Sequence, residues 1–307
     1  MKIGYIVLSH RDWPQVARFA EVMRELDPIA EVVVSHDERD ADGADHLEKR
    51  GITVLRQRGG RADYSAIERW LAAVDHLDTR GGVDFIVLIS GQDQLAVHPD
   101  RIKADLVASG DGWVEHFDVL DSQVCPWPSG EGLSRYFFRW RRLCGLSARW
   151  SRVLHIAHAL NRIQPFVRVN TTYGALRVAR RASGPPVGYR VFGGSQWHAL
   201  SWRAVDSVRR QARDVRGLTE WASRTLVSDE SFIQTAVLND PSLRPSQGAK
   251  RFFDFAGTES GHPRTLDVGD LDAIIASGAW FARKVDWTTS RDLIARLEAN
   301  AGAAPAV

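Results

Sequence analysis

An α/β fold, with a doubly wound, mostly parallel sheet carrying helices on both faces, is what this sequence predicts, on three observations. Short apolar runs rich in β-branched residues recur through the first ninety positions. Between them lie segments with an apolar residue every three or four positions, the helical period. Strands that alternate with helices pair in parallel, because each helical crossover returns the chain to the same end of the sheet.

The elements follow in order. Lys2 to Leu8 is an apolar run ending at Ser9-His10, a first strand. Pro14 opens a helix to Leu26, with Val16, Phe19, Ala20 and Met23 on one face. Glu31 to Ser35 and Ile52 to Leu55 read as the second and third strands, Tyr64 to His76 as a helix and Asp84 to Ile89 as a fourth strand. Beyond them, Trp113 to Phe117 and Trp197 to Leu200 extend the sheet. Trp202 to Arg213, Ser228 to Asn239 and Asp270 to Ser277 read as helices. Pro185-Pro186 and Gly193-Gly194 mark loops, and Asn300 to Val307 a frayed tail.

Composition bounds the class. With 44% hydrophobic and 25% charged residues in 307, the chain can bury one large core or two small ones. No window approaches the roughly 20 apolar residues of a membrane span. A soluble, cytoplasmic protein is expected. Cys125 and Cys144 have no paired-cysteine spacing, so neither a disulfide framework nor a zinc site is supported. The net charge of +2 hides an asymmetry: residues 132–205 carry thirteen arginines and no Asp or Glu, so the rest sums to −11. Arg135-Tyr136-Phe137-Phe138-Arg139-Trp140-Arg141-Arg142 mixes cations with aromatics. Such a run suits an anionic polymer or a lipid headgroup, and equally a solvated helical face. The segment Tyr136 to Leu160 reads as imperfectly amphipathic, interrupted by Gly145.

Dinucleotide, P-loop, nucleophile-elbow and zinc-protease signatures are absent from the sequence. Two Asp-x-Asp tripeptides, at 40–42 and 270–272, fall in a polar loop and a helix start rather than at a strand end, and are discounted as metal sites. In a doubly wound sheet, ligands gather beyond the carboxyl ends of the strands, which singles out Ser9, His10, His36, Asp37, Ser90, Gly91, Gln92 and Asp93. Each of these positions also suits a turn or cap.

Six blocks carry a resemblance. They are Ile-Val-Leu-Ser-His-Arg-Asp at 6–12, Leu-Ile-Ser-Gly-Gln-Asp at 88–93, Gly-Ser-Gln-Trp-His-Ala-Leu-Ser at 194–201, Ser-Asp-Glu-Ser-Phe at 228–232, His-Pro-Arg-Thr-Leu at 262–266 and Phe-Ala-Arg-Lys-Val-Asp at 281–286. In this order they resemble the core-2/I-branching β-1,6-N-acetylglucosaminyltransferases (glycosyltransferase family 14), which include xylosyltransferase-like members. The likeness spans residues 1 to about 287. It implies one GT-A-type catalytic domain over 1–287, with a nucleotide-binding half at 1–125 and an acceptor-binding, catalytic half at 126–287 holding an arginine-rich insertion at 132–190. Residues 288–307 are a C-terminal helix and tail.

The resemblance further implies a UDP-sugar donor, inversion at the anomeric carbon, and no metal or other cofactor. Position by position, Glu230 matches the catalytic base, and Arg264 and Lys284 the diphosphate-binding cations. Asp37 matches the uridine-side carboxylate, and His10 and Tyr64 further nucleotide contacts. Asp93 matches an aspartate near the donor sugar, beside Gln92; the chain reads Gln92-Asp93-Gln94-Leu95 where the family usually has Gln-Asp-Tyr-Pro. Ser195, Gln196 and Trp197 fall where donor sugar or acceptor is met.

The chemistry is consistent with these residue types. An acceptor hydroxyl needs a carboxylate to take its proton, and Glu230, two residues into a helix capped by Ser228, is expected to be held ionised by first-turn amides. Fixed cations can stabilise a departing diphosphate in place of a metal ion. Taken singly, Glu230 also reads as a helix cap, Lys284 as a surface lysine, Arg264 as a loop arginine, and Trp197 and Trp280 as core aromatics. The partners expected are a UDP-sugar and a carbohydrate-containing acceptor, with peripheral contact to an anionic membrane at its inner face and no nucleic acid. A noncatalytic polyanion-binding protein is the alternative of another class.

Overall fold

The computed structural model of the chain describes residues 1–213, 217–258 and 262–303, without the side chains of Leu160 and Arg162. Its centre is a seven-stranded sheet. Strands β1 (Ile3–Ser9), β2 (Glu31–Asp37), β3 (Thr53–Gln57) and β4 (Phe85–Ser90) all run in parallel, in spatial order β3-β2-β1-β4. Beyond β4 come His198–Ser201, antiparallel to it, then Gly112–Val114 and Ser246–Gln247. The expected α/β, mostly parallel sheet is therefore what forms. One reversed strand sits inside it.

The alternation of side chains along the strands divides the core in two. Ile3, Tyr5 and Val7 of β1, with Val87 and Ile89 of β4, face helix α1 (Trp13–Leu26), helix α2 (Ala41–Glu48) and the helix Pro99–Ala108. Ile6, Ile86 and Leu88 point the other way, against helix α3 (Ser65–Thr79), Trp202–Arg213 and Phe232–Leu238. Helices thus cover both faces, and each buries an apolar stripe.

Several elements differ from expectation. Trp113 to Phe117 divides: Gly112–Val114 stays in the main sheet, while Phe117–Asp118 turns away to pair with Phe192–Gly193, so Gly193 lies in a short strand. Ser228 to Asn239 is not one helix. Val227 adopts a left-handed conformation, Ser228–Glu230 is a single 3₁₀ turn, and the α-helix begins at Phe232. Tyr136 to Leu160 is not an interrupted helix either, since Phe138–Gly145 is a strand in a three-stranded antiparallel sheet with Ala175–Arg181 and Val167–Asn170. The two-residue alternation Phe138-Arg139-Trp140-Arg141 sets it, placing Phe138 and Trp140 in a small core with Ala179 and Leu226. Asn300 is no frayed end: helix Arg291–Gly302 includes it, its side chain donates to the Ala96 carbonyl at 2.7 Å, and Ala301 is buried. Residues 304–307 of the expected tail lie outside the described residues. Among the described residues, no helix is long and apolar enough to cross a membrane.

Candidate active site

A cleft of about 640 Å³ opens beyond the carboxyl ends of β1 and β4, where a doubly wound sheet collects ligands. Ser9 and His10 follow β1 into it; Ser90, Gly91 and Gln92 follow β4. The reversed strand explains why Ser195, Gln196 and Trp197 line the same cleft. Because His198–Ser201 runs antiparallel to β4, its amino end meets β4's carboxyl end, and the residues entering it arrive at the mouth.

One wall is acidic. Glu230 lines the cleft, and its Oε2 accepts from Arg135 Nη1 at 2.7 Å. Arg135 also donates to Glu131 at 2.7 Å and lies over the Trp127 ring at 4.4 Å. Burial raises the Glu230 pKa, and the charge and hydrogen bond of Arg135 oppose that rise. Asp229 is pushed up to about 7, by burial and then by the charge of Glu230. Glu115 also lines the cleft, its pKa raised by burial and by the charge of Glu230. The expectation that first-turn amides ionise Glu230 is corrected here, since Ser228 Oγ caps nothing and Arg135 supplies the stabilising charge. Gly194 holds the two acids together. Its amide donates to the Glu230 carbonyl at 3.0 Å, and a Cβ there would stand 1.9 Å from the Glu115 carbonyl oxygen.

The other wall is cationic. Arg11, Arg61, His262 and Arg283 line the cleft. Lys284 adjoins them: burial first, then the charges of Arg283, Arg11 and Arg61, lower its pKa. His262 is lowered by burial and by Lys284, Arg61 and Arg283. Arg11 pairs with Asp12 at 3.1 Å and Arg283 with Asp93 at 3.1 Å, while among the described residues Lys284 and Arg61 have no carboxylate partner, so the cluster keeps an excess of positive charge. His10 has its pKa lowered by burial and by Arg11. Among the described residues no group of three or more His, Cys, Asp or Glu is placed to hold a metal ion.

Of the residues singled out in the sequence, Lys284, which adjoins the cleft, and Arg264, His36, Asp37, Tyr64 and Asp93 do not reach its lining. Arg264 is committed to Asp254, Nε to Oδ2 at 2.7 Å, and to Asp270, so its charge is already matched. Asp37 is buried and accepts from the Arg39 amide at 3.0 Å and Nε at 2.8 Å; these bonds, the side-chain one foremost, hold it at about 2. Tyr64 is a core residue, edge-on to Phe232 and bonded to Thr219 at 3.3 Å. Asp93 is buried between two guanidiniums, Arg251 Nε at 3.3 Å and Arg283 Nη1 at 3.1 Å. Both guanidiniums also lie against the Trp197 ring, at 4.9 and 4.6 Å. Asp93 thus fixes the floor of the cleft rather than touching a ligand. Trp280 is a core aromatic whose Nε1 donates to Asp105 at 2.9 Å.

Residue reasoning missed Arg135, Asp229, Glu115, Arg61, His262 and Arg283. Arg283 and His262 stood inside the quoted blocks, beside Lys284 and two before Arg264. Arg135 carried no signal, because its partner Glu230 lies 95 residues away.

No family model and no curated protein matches the chain. Among solved structures it is similar to a cytidylyltransferase from Leptospira borgpetersenii serovar Hardjo-bovis, with 17% identity over 38% of this chain and 54% of that one and a TM-score of 0.26. A mannose-1-phosphate geranyltransferase from Thermus thermophilus gives 14% identity over 80% and 69%, with a TM-score of 0.33. Glucosyl-3-phosphoglycerate synthase from Mycobacterium tuberculosis, in complex with Mn²⁺, UDP and phosphoglyceric acid, gives 15% over 67% and 57%, with a TM-score of 0.29. The chain spans little more than half the length of the first and third. None of these likenesses assigns a residue of the cleft.

Proposed function

We propose that this chain is a GT-A-type, inverting, metal-independent glycosyltransferase of the core-2/I-branching kind. It moves N-acetylglucosamine, or in the alternative xylose or another sugar, from UDP to a hydroxyl of a glycan, glycolipid or glycosylated metabolite, in the cytoplasm or at the inner membrane face. The observation that supports the reading is a single cleft with an arginine-held carboxylate on one wall and, on the other, a cation cluster in which Lys284 and Arg61 have no carboxylate partner among the described residues.

The chemistry follows from that polarity. Glu230 takes the proton of the acceptor hydroxyl, and the oxygen's electron pair forms the new bond at the anomeric carbon. The bond from that carbon to the diphosphate oxygen breaks from the opposite side, inverting the centre through an oxocarbenium-like state. The leaving electron pair stays on the diphosphate, whose growing charge meets Lys284, Arg61 and Arg283. Arg61 takes the place expected of Arg264. Gln92, Ser195 and Gln196 are the polar groups at the cleft that orient sugar or acceptor.

A thermal-shift panel of UDP-N-acetylglucosamine, UDP-xylose, UDP-glucose and UDP, each with and without EDTA, checks donor and metal together. Stabilisation by UDP that survives EDTA is expected; strict dependence on added Mn²⁺ removes the metal-free claim. In a UDP-release assay Glu230→Gln should lose roughly 10²- to 10⁴-fold in turnover while the UDP shift persists. Near-normal turnover in that variant refutes the assignment of the base.

A further inference from the structure

The insertion at 132–190 presents cations and apolar side chains together. Eight of the sixteen exposed large apolar residues fall within this fifth of the chain, among the described residues. Ile156 is 81% exposed, Ile163 77%, Phe166 68% and Trp150 58%. Water alone does not favour such a concentration, and exposed apolar side chains gathered in one segment point to a contact.

The three-stranded sheet adds the charge. Its register sets Arg180 between Arg139 and Val167, and Val178 between Arg141 and Val169. Phe138, Trp140 and Ala179 fill the core beneath. Arg139, Arg141, Val167, Val178 and Arg180, with Arg224 and the edges of Trp140 and Ala179, line a groove of about 490 Å³. Arg139, Arg141, Arg142, Arg149, Arg180 and Arg181 have no side-chain hydrogen bond or ion pair among the described residues. No carboxylate occurs in the sequence from 132 to 205.

From these observations we propose that the insertion docks the protein on an anionic lipid bilayer, its arginines on the phosphate headgroups and its exposed Trp150, Ile156, Ile163 and Phe166 in the interface. Each half of the surface selects the partner. Unpaired arginines near an anionic leaflet strengthen attachment roughly fivefold each, and apolar side chains gain by entering the headgroup boundary. A nucleic acid would satisfy the arginines but leave aliphatic side chains such as Ile156 and Ile163 wet. A second copy of this face would set like charges against each other. The docking rests on the transfer reading only in what it serves, by bringing the cleft to an acceptor carried on lipid.

Flotation of the full chain with phosphatidylcholine vesicles, with or without phosphatidylglycerol, tests this, with single-stranded RNA as competitor. Expected are flotation with the anionic vesicles alone, loss of binding at high salt, and roughly tenfold or greater weakening in the double variant Arg139→Glu/Arg180→Glu. Ile156→Ser/Ile163→Ser, which changes no charge, should weaken it as well, and unchanged melting curves will show both variants folded. No flotation, equal binding to neutral vesicles, indifference to either pair of substitutions, or displacement by RNA at equal phosphate concentration overturns the proposal. Flotation does not read sugar transfer, so the two ideas fail separately.

Discussion

Glu230 draws its stabilising charge from Arg135. Burial favours the protonated carboxyl, and the guanidinium at 2.7 Å works against it. Removing that cation in Arg135→Met should raise the Glu230 pKa further, so the acid limb of the kcat/KM profile moves to higher pH. A purely structural role for Arg135 would lower activity without moving the limb. Asp229, next door, is a stability question. Its folded-state pKa of about 7 lies above the ordinary aspartate value, so its favourable contribution is complete below about pH 4 and is lost as pH rises toward 7. Asp229→Asn should flatten that dependence and stabilise the protein by on the order of 2 kcal/mol at pH 8, read by urea melts across pH. Glu230 was legible because Ser-Asp-Glu stands in a recognisable block; its dependence on Arg135 was not, since the sequence carries no mark of a contact across 95 positions.

At the scale of elements, the cation wall is built where the strand Phe281–Arg283 delivers Arg283 and Lys284 next to the loop holding Arg61. Burial, and then the clustered positive charge, lowers His262, leaving it neutral near pH 7. An arriving diphosphate reverses that bias, so UDP binding should take up protons, detectable by calorimetry in buffers of differing ionisation enthalpy. Lys284→Met should cost roughly 10²- to 10³-fold in kcat while altering the fold little. Gly194→Ala strikes the other wall: with a Cβ 1.9 Å from a backbone oxygen, the segment must shift, at a cost of about 2 kcal/mol or more in a chemical melt. The strands β1 and β4 were legible because each is an apolar run buried on both faces, and β2 and β3 because each carries a shorter apolar run. The insertion was not, because aromatic and arginine residues in turn satisfied both a two-residue and a loose helical reading, and pairing with Ala175–Arg181 decided between them.

For the molecule as a whole, two cores on opposite faces of one sheet share the work, and the C-terminal helix closes a third. Leu293 and Leu297 are buried there, and Glu298 pairs with Arg18 of α1 at 2.7 Å. Leu297→Ala should destabilise the protein by about 2–5 kcal/mol, seen as a fall in the urea midpoint with unchanged UDP affinity at low temperature. The direction of the sheet separates the end that holds the cleft from the opposite end. The turn Gly81-Gly82 leads into β4 from that opposite end, with positive φ at both residues and nothing within 4 Å of a side chain placed there. A fluorophore or surface tether attached beside this turn therefore leaves the opening unobstructed, which suits the chain to immobilised binding measurements with bulky acceptors.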